Sequence, residues 1–169
     1  RLYDSAKAIM MKIELTKEQM IREHVRTVKA NRLKDGYIRT VVTRGEGDLG
    51  LDPRKCKQGS FYFIIADGIT LYPAEHYEKG LSITTVAARR NVAEALDPKI
   101  KSLNYLNNIL AKIEAINHGS IEAIMINQQG FVAEATGDNV FILRRGELRT
   151  PDLSSGCLDG ITRETVMEI

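Results

Sequence analysis

The chain has 169 residues, of which 43% are hydrophobic, 27% charged and 6% aromatic, with no Trp. That balance is ordinary for a folded protein and excludes disordered, collagen-like and low-complexity readings. Lys and Arg number 24 against 22 Asp and Glu, a net charge of +2 that is too even for a nucleic-acid footprint. The length suits one domain or two small ones. No run approaches the roughly 18 apolar residues of a membrane span, and no signal-peptide pattern opens the chain. Cys56 and Cys157 stand far apart with no CxxC partner, which fits neither a disulfide framework nor a zinc site. The expectation is a cytoplasmic protein with no membrane and no nucleic-acid partner.

In chain order, Leu2 to Met11 reads as a helix, with Leu2, Ala6, Ile9 and Met10 on one side. Thr16-Lys17-Glu18-Gln19 fits a capping box, and Met20, Ile21, Val25 and Val28 give the next helix an apolar stripe. Tyr37 to Thr43 is β-branched and predicts a strand; Gly45 to Gly59 predicts a long loop. Phe61 to Ala66 is a continuous apolar run, which predicts a strand buried on both faces. Asp67 to Gly80 carries turn residues and Pro73 and is the best place for a linker. Leu81 to Ala88 resumes as a strand, and Asn91 to Ile100 is irregular. Ser102 can cap a helix from Leu103 to about Asn117, with Leu103, Leu106, Leu110, Ile113 and Ile116 at helical spacing. Short strands follow at Ala123 to Asn127, Phe131 to Ala135 and Val140 to Arg144, the last turning at Arg145-Gly146 toward Leu148. A final helix opens at Gly160-Ile161-Thr162.

Two features are decoys. Gly45-Glu46-Gly47-Asp48-Leu49-Gly50 spells GxGxxG after a strand, but a dinucleotide site needs a helix to open there, and Leu51 to Lys55 has no amphipathic period. His24, His76 and His118 are isolated, without HExxH or HxH spacing, and no GxSxG elbow occurs.

Three segments carry chemistry. Lys101 precedes a helix, with Tyr105 four residues on; it is either a solvated side chain or an amine nucleophile. Lys99 would share its face in an extended segment, so spacing does not choose between the two. Glu134 sits in the apolar, small-residue strand Phe131 to Ala135, where a carboxylate is either edge-exposed or paired with a buried cation. Gly160-Ile161-Thr162-Arg163 places free amides at a helix start, which is either simple capping or an anion site.

Taken in order, Arg1-Leu2-Tyr3-Asp4-Ser5-Ala6, Tyr37-Ile38-Arg39, Lys101-Ser102-Leu103-Asn104-Tyr105-Leu106, Glu134-Ala135-Thr136-Gly137-Asp138-Asn139 and Gly160-Ile161-Thr162-Arg163 resemble one family. The chain resembles the class IV (fold type IV) pyridoxal-phosphate aminotransferases, most closely the branched-chain amino acid aminotransferases, from Arg1 to Ile169. The resemblance implies an α+β fold of two domains, a small α/β domain and a larger pseudo-barrel-like one. Residues 1–68 would be part of the small domain, 69–78 the interdomain linker and 79–169 part of the large domain. The chain would be an internal portion lacking both termini. By the same resemblance Lys101 forms a Schiff base with pyridoxal 5′-phosphate and then carries protons. Glu134 pairs with the ring nitrogen, and Tyr105 bonds the phenolic oxygen. Arg1, Gly160, Ile161 and Thr162 hold the phosphate, with the Ile161 and Thr162 amides and the Thr162 hydroxyl as donors. Tyr37 and Arg39 place the substrate carboxylates, while Arg90 is read as structural. The implied reaction moves an amino group between Leu, Ile or Val and 2-oxoglutarate in a homodimer or larger homo-oligomer. The alternatives are a D-amino acid transaminase, an aminodeoxychorismate lyase or a non-catalytic fragment.

Overall fold

The computed structural model describes residues 1–70 and 72–169, which form two compact units, Arg1–Pro73 and Ala74–Ile169. The first unit holds helices α1 (Leu2–Ala8) and α2 (Lys17–Ala30) and strands β1 (Tyr37–Thr43) and β2 (Phe61–Asp67). At the start of α2 the capping box forms as the sequence predicts. The Thr16 hydroxyl accepts from the Gln19 amide at 3.2 Å, and the Gln19 side chain accepts from the Thr16 amide at 2.7 Å. Strands β1 and β2 pair antiparallel from Tyr37↔Asp67 to Thr43↔Phe61. The glycine-rich stretch between them opens no helix; it contains only a 3-10 turn at Pro53–Lys55. Burial of β2 on both faces is overturned: Phe61, Phe63 and Ile65 are each at least half exposed, on the face of this two-stranded sheet opposite the better-covered Ile64 and Ala66.

The second unit is a βαβ crossover extended by hairpins. Strand β3 (Ile83–Thr85) runs parallel to β4 (Glu122–Ile126), which pairs antiparallel with β5 (Val132–Ala135). Parallel neighbours need a long crossover. Here it contains the short helix α4 (Ala93–Leu96), the Lys101 loop and helix α5 (Leu106–Asn117). The hairpin of β6 (Ile142–Arg144) and β7 (Glu147–Arg149) turns at Arg145 and Gly146, both at positive φ, before α6 (Ile161–Glu168). Helix α3 (Ala74–Lys79) lies inside the Asp67 to Gly80 stretch where turn residues predict a linker, and overlaps the 69–78 linker that the resemblance implies. Leu71, inside that linker, falls outside the described residues. Among the described residues no helix is long and apolar enough to cross a membrane.

The face α5 buries is not the one its large residues predict. Ala111 and Ala115 are fully buried against Val86, Ala123 and Met125, whereas Leu106, Leu110, Ile113 and Ile116 are all about half exposed or more. Small residues let the helix backbone lie close to β3 and β4, and the larger stripe turns away. The same helix closes the exit of β3, where the Glu114 carboxylate accepts the Ala87 and Ala88 amides at 2.6 and 3.1 Å.

Glu122 is a buried carboxylate at the start of β4. Its oxygens accept the Thr136 amide at 3.1 Å and hydroxyl at 2.5 Å and the Ala123 amide at 2.7 Å, and pair with Lys112 of α5 at 3.0 Å. Burial raises the proton affinity of this carboxyl, but the bonds from Thr136, Ala123 and Lys112 outweigh it and leave the pKa below the ordinary value. A carboxyl depressed on folding adds stability above its unfolded pKa, and that stability is lost as pH falls through the folded value. Glu122→Gln is expected to cost roughly 1–3 kcal/mol in urea unfolding at neutral pH. The difference from the parent protein should shrink in acid.

Candidate active site

The site is assembled where the β3–β4 pairing ends. Beyond β3, the Val86 and Arg90 amides still bond the Ile124 and Ile126 carbonyls at 3.2 and 2.9 Å, which brings Arg90 level with the end of the sheet. Its neighbour across the sheet is Glu134 of β5, opposite Met125 on β4. The Arg90 Nη2 lies 2.7 Å from Glu134 Oε1, with both side chains at least nine-tenths buried. Glu134 Oε2 accepts the Leu158 amide at 2.8 Å. Of the two readings open from the sequence, the buried pair is the one formed. Burial pushes the Glu134 carboxyl up, and the Arg90 charge, the Leu158 amide and the Lys101 charge pull it back without cancelling the rise.

Arg90, read as structural from the sequence, ties several segments together. Its Nε donates to the Gly156 carbonyl at 3.0 Å and its Nη1 to the Asn108 side-chain oxygen at 3.0 Å. Gly156 sits at φ +94°, and a Cβ there would come 3.3 Å from Arg90 Cγ, so this close approach favours glycine. The available signal was general: a carboxylate inside an apolar strand demands a buried cation, and Arg90 precedes the lysine loop.

The lysine loop is shaped by Asp97. Its side chain accepts the Lys99 amide at 3.0 Å and its carbonyl the Ile100 amide at 3.1 Å. Tight bonds from the Ser102 amide to the Ile100 carbonyl (2.8 Å) and from the Tyr105 amide to the Leu103 carbonyl (3.0 Å) keep residues 101–105 out of the helix. The expected helix from Leu103 therefore starts at Leu106, with Tyr105 as its N-cap. This geometry separates the two lysines. Lys101 lines a cleft with Tyr105, Glu134, Thr136 and Gly137; Lys99 does not line it, and its charge acts on Asp152 instead.

The cleft is open to solvent, with about 570 Å³ of empty space counting its mouth. Its floor is the Glu134 carboxylate, and an amine and a phenol stand at its wall. Gly160 is the N-cap of α6 and has no side chain to cap the Ile161 and Thr162 amides. A Cβ on Gly160 would approach Asn139 Oδ1 to 2.8 Å, so a side chain there would require Asn139 to shift. Arg163 anchors this helix start, 7% exposed and donating to the Pro151 carbonyl at 2.9 Å. Gly160, Ile161 and Thr162 follow the cleft residue Leu158 in sequence but do not line the cleft themselves.

Cys157 beside it is buried, its thiol pushed up by burial, and Cys56 is also a free thiol. Among the described residues no cluster of three or more His, Cys, Asp or Glu side chains could hold a metal ion. In the first unit, Arg1 is the N-cap of α1 and exposed. Tyr37 and Arg39 share one face of β1, with Arg39 Cζ 5.7 Å from the Tyr37 ring centroid.

The sequence matches the family model described as amino-transferase class IV over residues 1–169. The chain belongs to the class IV aminotransferases. A Methanocaldococcus jannaschii protein provisionally named a branched-chain-amino-acid aminotransferase is 48% identical over 169 residues, which are 100% of this chain and 57% of that protein. The crystal structure of the Escherichia coli branched-chain amino acid aminotransferase superposes with a TM-score of 0.94 at 27% identity, covering 98% of this chain and 55% of that one. The Thermobaculum terrenum enzyme of the same name, in its PLP-bound holo form, superposes at 0.86 with 31% identity, over 99% of this chain and 54% of that one. A Legionella pneumophila protein with the name of a 4-amino-4-deoxychorismate lyase reaches 0.86 at 26% identity, over 99% and 60%. The class IV chain thus has the fold type IV architecture and spans a little over half the length of these relatives.

The donor set in the cleft fits pyridoxal phosphate. The Glu134 carboxylate has two oxygens and about four acceptor positions, and the bonds from Arg90 and Leu158 use two of them. It can still accept a ring N–H, and the Lys101 amine and Tyr105 phenol line the same cleft.

Proposed function

We propose that the protein carrying this chain transfers an amino group between a branched-chain L-amino acid and 2-oxoglutarate with pyridoxal 5′-phosphate. The observation that carries the reading is the buried Glu134 carboxylate on the floor of a cleft walled by Lys101 and Tyr105. When bound, the cofactor supplies an aldehyde reactive toward amines and a ring that withdraws electrons from the substrate Cα. Lys101 would hold it covalently through Nζ, Tyr105 would donate to its phenolic oxygen, and Glu134 would accept from its ring nitrogen. Arg1, Gly160 and the amides of Ile161 and Thr162 would hold the phosphate, helped by the Thr162 hydroxyl and the helix start.

The chain's own residues then do acid–base work. The Lys101 amine takes the proton from the substrate Cα and returns it on the other side of the exchange. Glu134, whose charge Arg90 favours, would keep a proton on the ring nitrogen. Tyr37 and Arg39 place the substrate α-carboxylate and the distal carboxylate of glutamate. Their common face on β1, with a cation over an aromatic ring, suits a site that takes an apolar side chain in one half-reaction and a charged one in the other.

The two units are read as parts of a small and a large domain joined through 69–78; the boundary after Pro73 falls within that stretch and supports this. A homodimer or larger homo-oligomer and a cytoplasmic setting complete the reading, the latter supported by two free cysteines. The likeness to the lyase supports a second reading on the same site, carbon–heteroatom cleavage of aminodeoxychorismate.

An assay of the full-length protein with L-leucine, D-alanine and aminodeoxychorismate side by side, with 2-oxoglutarate as amino acceptor, tests the choice. Turnover of L-leucine is expected. Turnover of D-alanine or of aminodeoxychorismate without L-leucine contradicts it, and so does loss of all three in a cofactor-loaded protein.

A further inference from the structure

The strongest unused feature is the set of neutral side chains around the Arg90 guanidinium. Nη1 of Arg90 faces three asparagine oxygens, from Asn91 (3.4 Å), Asn107 (3.4 Å) and Asn108 (3.0 Å). Nε bonds a backbone carbonyl, and Glu134 offers the guanidinium a carboxylate. Each helix asparagine is tied at its other end. The Asn107 amide nitrogen donates to the Arg89 carbonyl and that of Asn108 to the Thr136 carbonyl, both at 2.8 Å. The Asn107 oxygen also accepts the Asn91 amide at 3.2 Å.

Buried guanidinium protons need acceptors, and an arginine this deep could be satisfied by aspartates as readily as by asparagines. Aspartates would share its charge. We propose that Asn107 and Asn108 are positioning residues, which fill the hydrogen-bonding needs of Arg90 with uncharged oxygens and so direct its whole charge at Glu134. Asn108 does this from α5 while bonding the carbonyl of Thr136, two residues beyond Glu134. It thereby fixes the cation and the segment carrying the anion with one side chain. This inference rests on the reading of Glu134 as the ring-nitrogen partner for its functional meaning, but its electrostatic content stands apart from it.

Among the described residues, the charged and titratable groups around Glu134 include Arg90 from the segment after β3, Asp97, Lys101 and Tyr105 from the lysine loop, and Cys157 ahead of α6. None belongs to α5, so a charge introduced at position 108 acts on an otherwise unchanged set.

The test is the titration of the Glu134 carboxyl by NMR in the full-length protein without cofactor, labelled with carbon-13 at glutamate Cδ, Glu134→Gln identifying the signal. Asn108→Asp is expected to raise the Glu134 midpoint by about one pH unit, a tenfold gain in proton affinity, because a second carboxylate now shares Arg90. Asn108→Ala, which removes the oxygen without adding charge, should move it by less than half as much. An unmoved midpoint in Asn108→Asp, or an equal shift in both variants, overturns the proposal. If Asn108→Asp does not fold, Asn107→Asp carries the same comparison. The pH dependence of the visible band in cofactor-loaded protein separates the two readings. A midpoint that shifts in the NMR titration while the band stays unchanged supports the positioning role and contradicts Glu134 as the ring-nitrogen partner.

Discussion

Lys101→Ala is expected to lower transaminase turnover by about four orders of magnitude, the upper end of what a positioned acid–base group supplies. Lys99→Ala, two residues away, should change it less than about twofold. The contrast follows from the loop. Asp97 holds the Lys99 amide and the bonds at Ser102 and Tyr105 turn the chain, so that only Lys101 lines the cleft above Glu134. Lys101 is exposed in its loop, so its loss should leave thermal unfolding within a degree or two of the parent. Steady-state kinetics with L-leucine, paired with a melting curve, read both parts. A Lys99 variant as inactive as the Lys101 variant sinks the assignment.

The second large effect is on stability. Arg90→Met leaves the Glu134 carboxylate buried without its cation, and removing one partner of such a pair costs roughly 3–5 kcal/mol. The pH dependence has a definite sign. In the parent protein burial already holds the Glu134 carboxyl above its unfolded pKa, and Arg90 is the largest influence opposing that rise. Without Arg90 the folded pKa climbs further. Between the unfolded and folded values the native state binds more protons than the unfolded one, so stability falls as pH rises through that window. The variant should therefore be closest to the parent in mild acid and furthest from it at pH 7 and above. Arg90→Met combined with Glu134→Leu should recover most of the loss, since a well-packed apolar pair replaces a buried ion pair at little cost. Urea unfolding at two pH values measures all of this. A single variant equally unstable at both would contradict the pairing argument.

Much of this was legible in local sequence. The Thr16 capping box, the β-branched run of β1 and the Arg145-Gly146 turn are short-range devices, and they form as their residues dictate. The order of motifs pointed to the class IV family and to Lys101, Tyr105 and Glu134, which line one cleft. Periodicity misled at α5, where leucines and isoleucines mark a stripe but the buried face is set by the space over β3 and β4, which only Ala111 and Ala115 fit. It misled again at β2, where an apolar run says nothing of whether a second layer covers it. The role of Arg90 was hidden because its partner is 44 residues distant in sequence and meets it only through the β3–β4–β5 pairing. Asn107 and Asn108 were missed for the same reason: their acceptor role exists only once Arg90 is in place.

The central claim is that Lys101 is the amine that holds the cofactor in the cleft above Glu134. Borohydride reduction of the cofactor-loaded full-length protein, followed by proteolysis and peptide mass spectrometry, tests it most directly. A phosphopyridoxyl group on Nζ of Lys101 alone is the predicted result; the group on Lys99, or on no lysine of this loop, would contradict it.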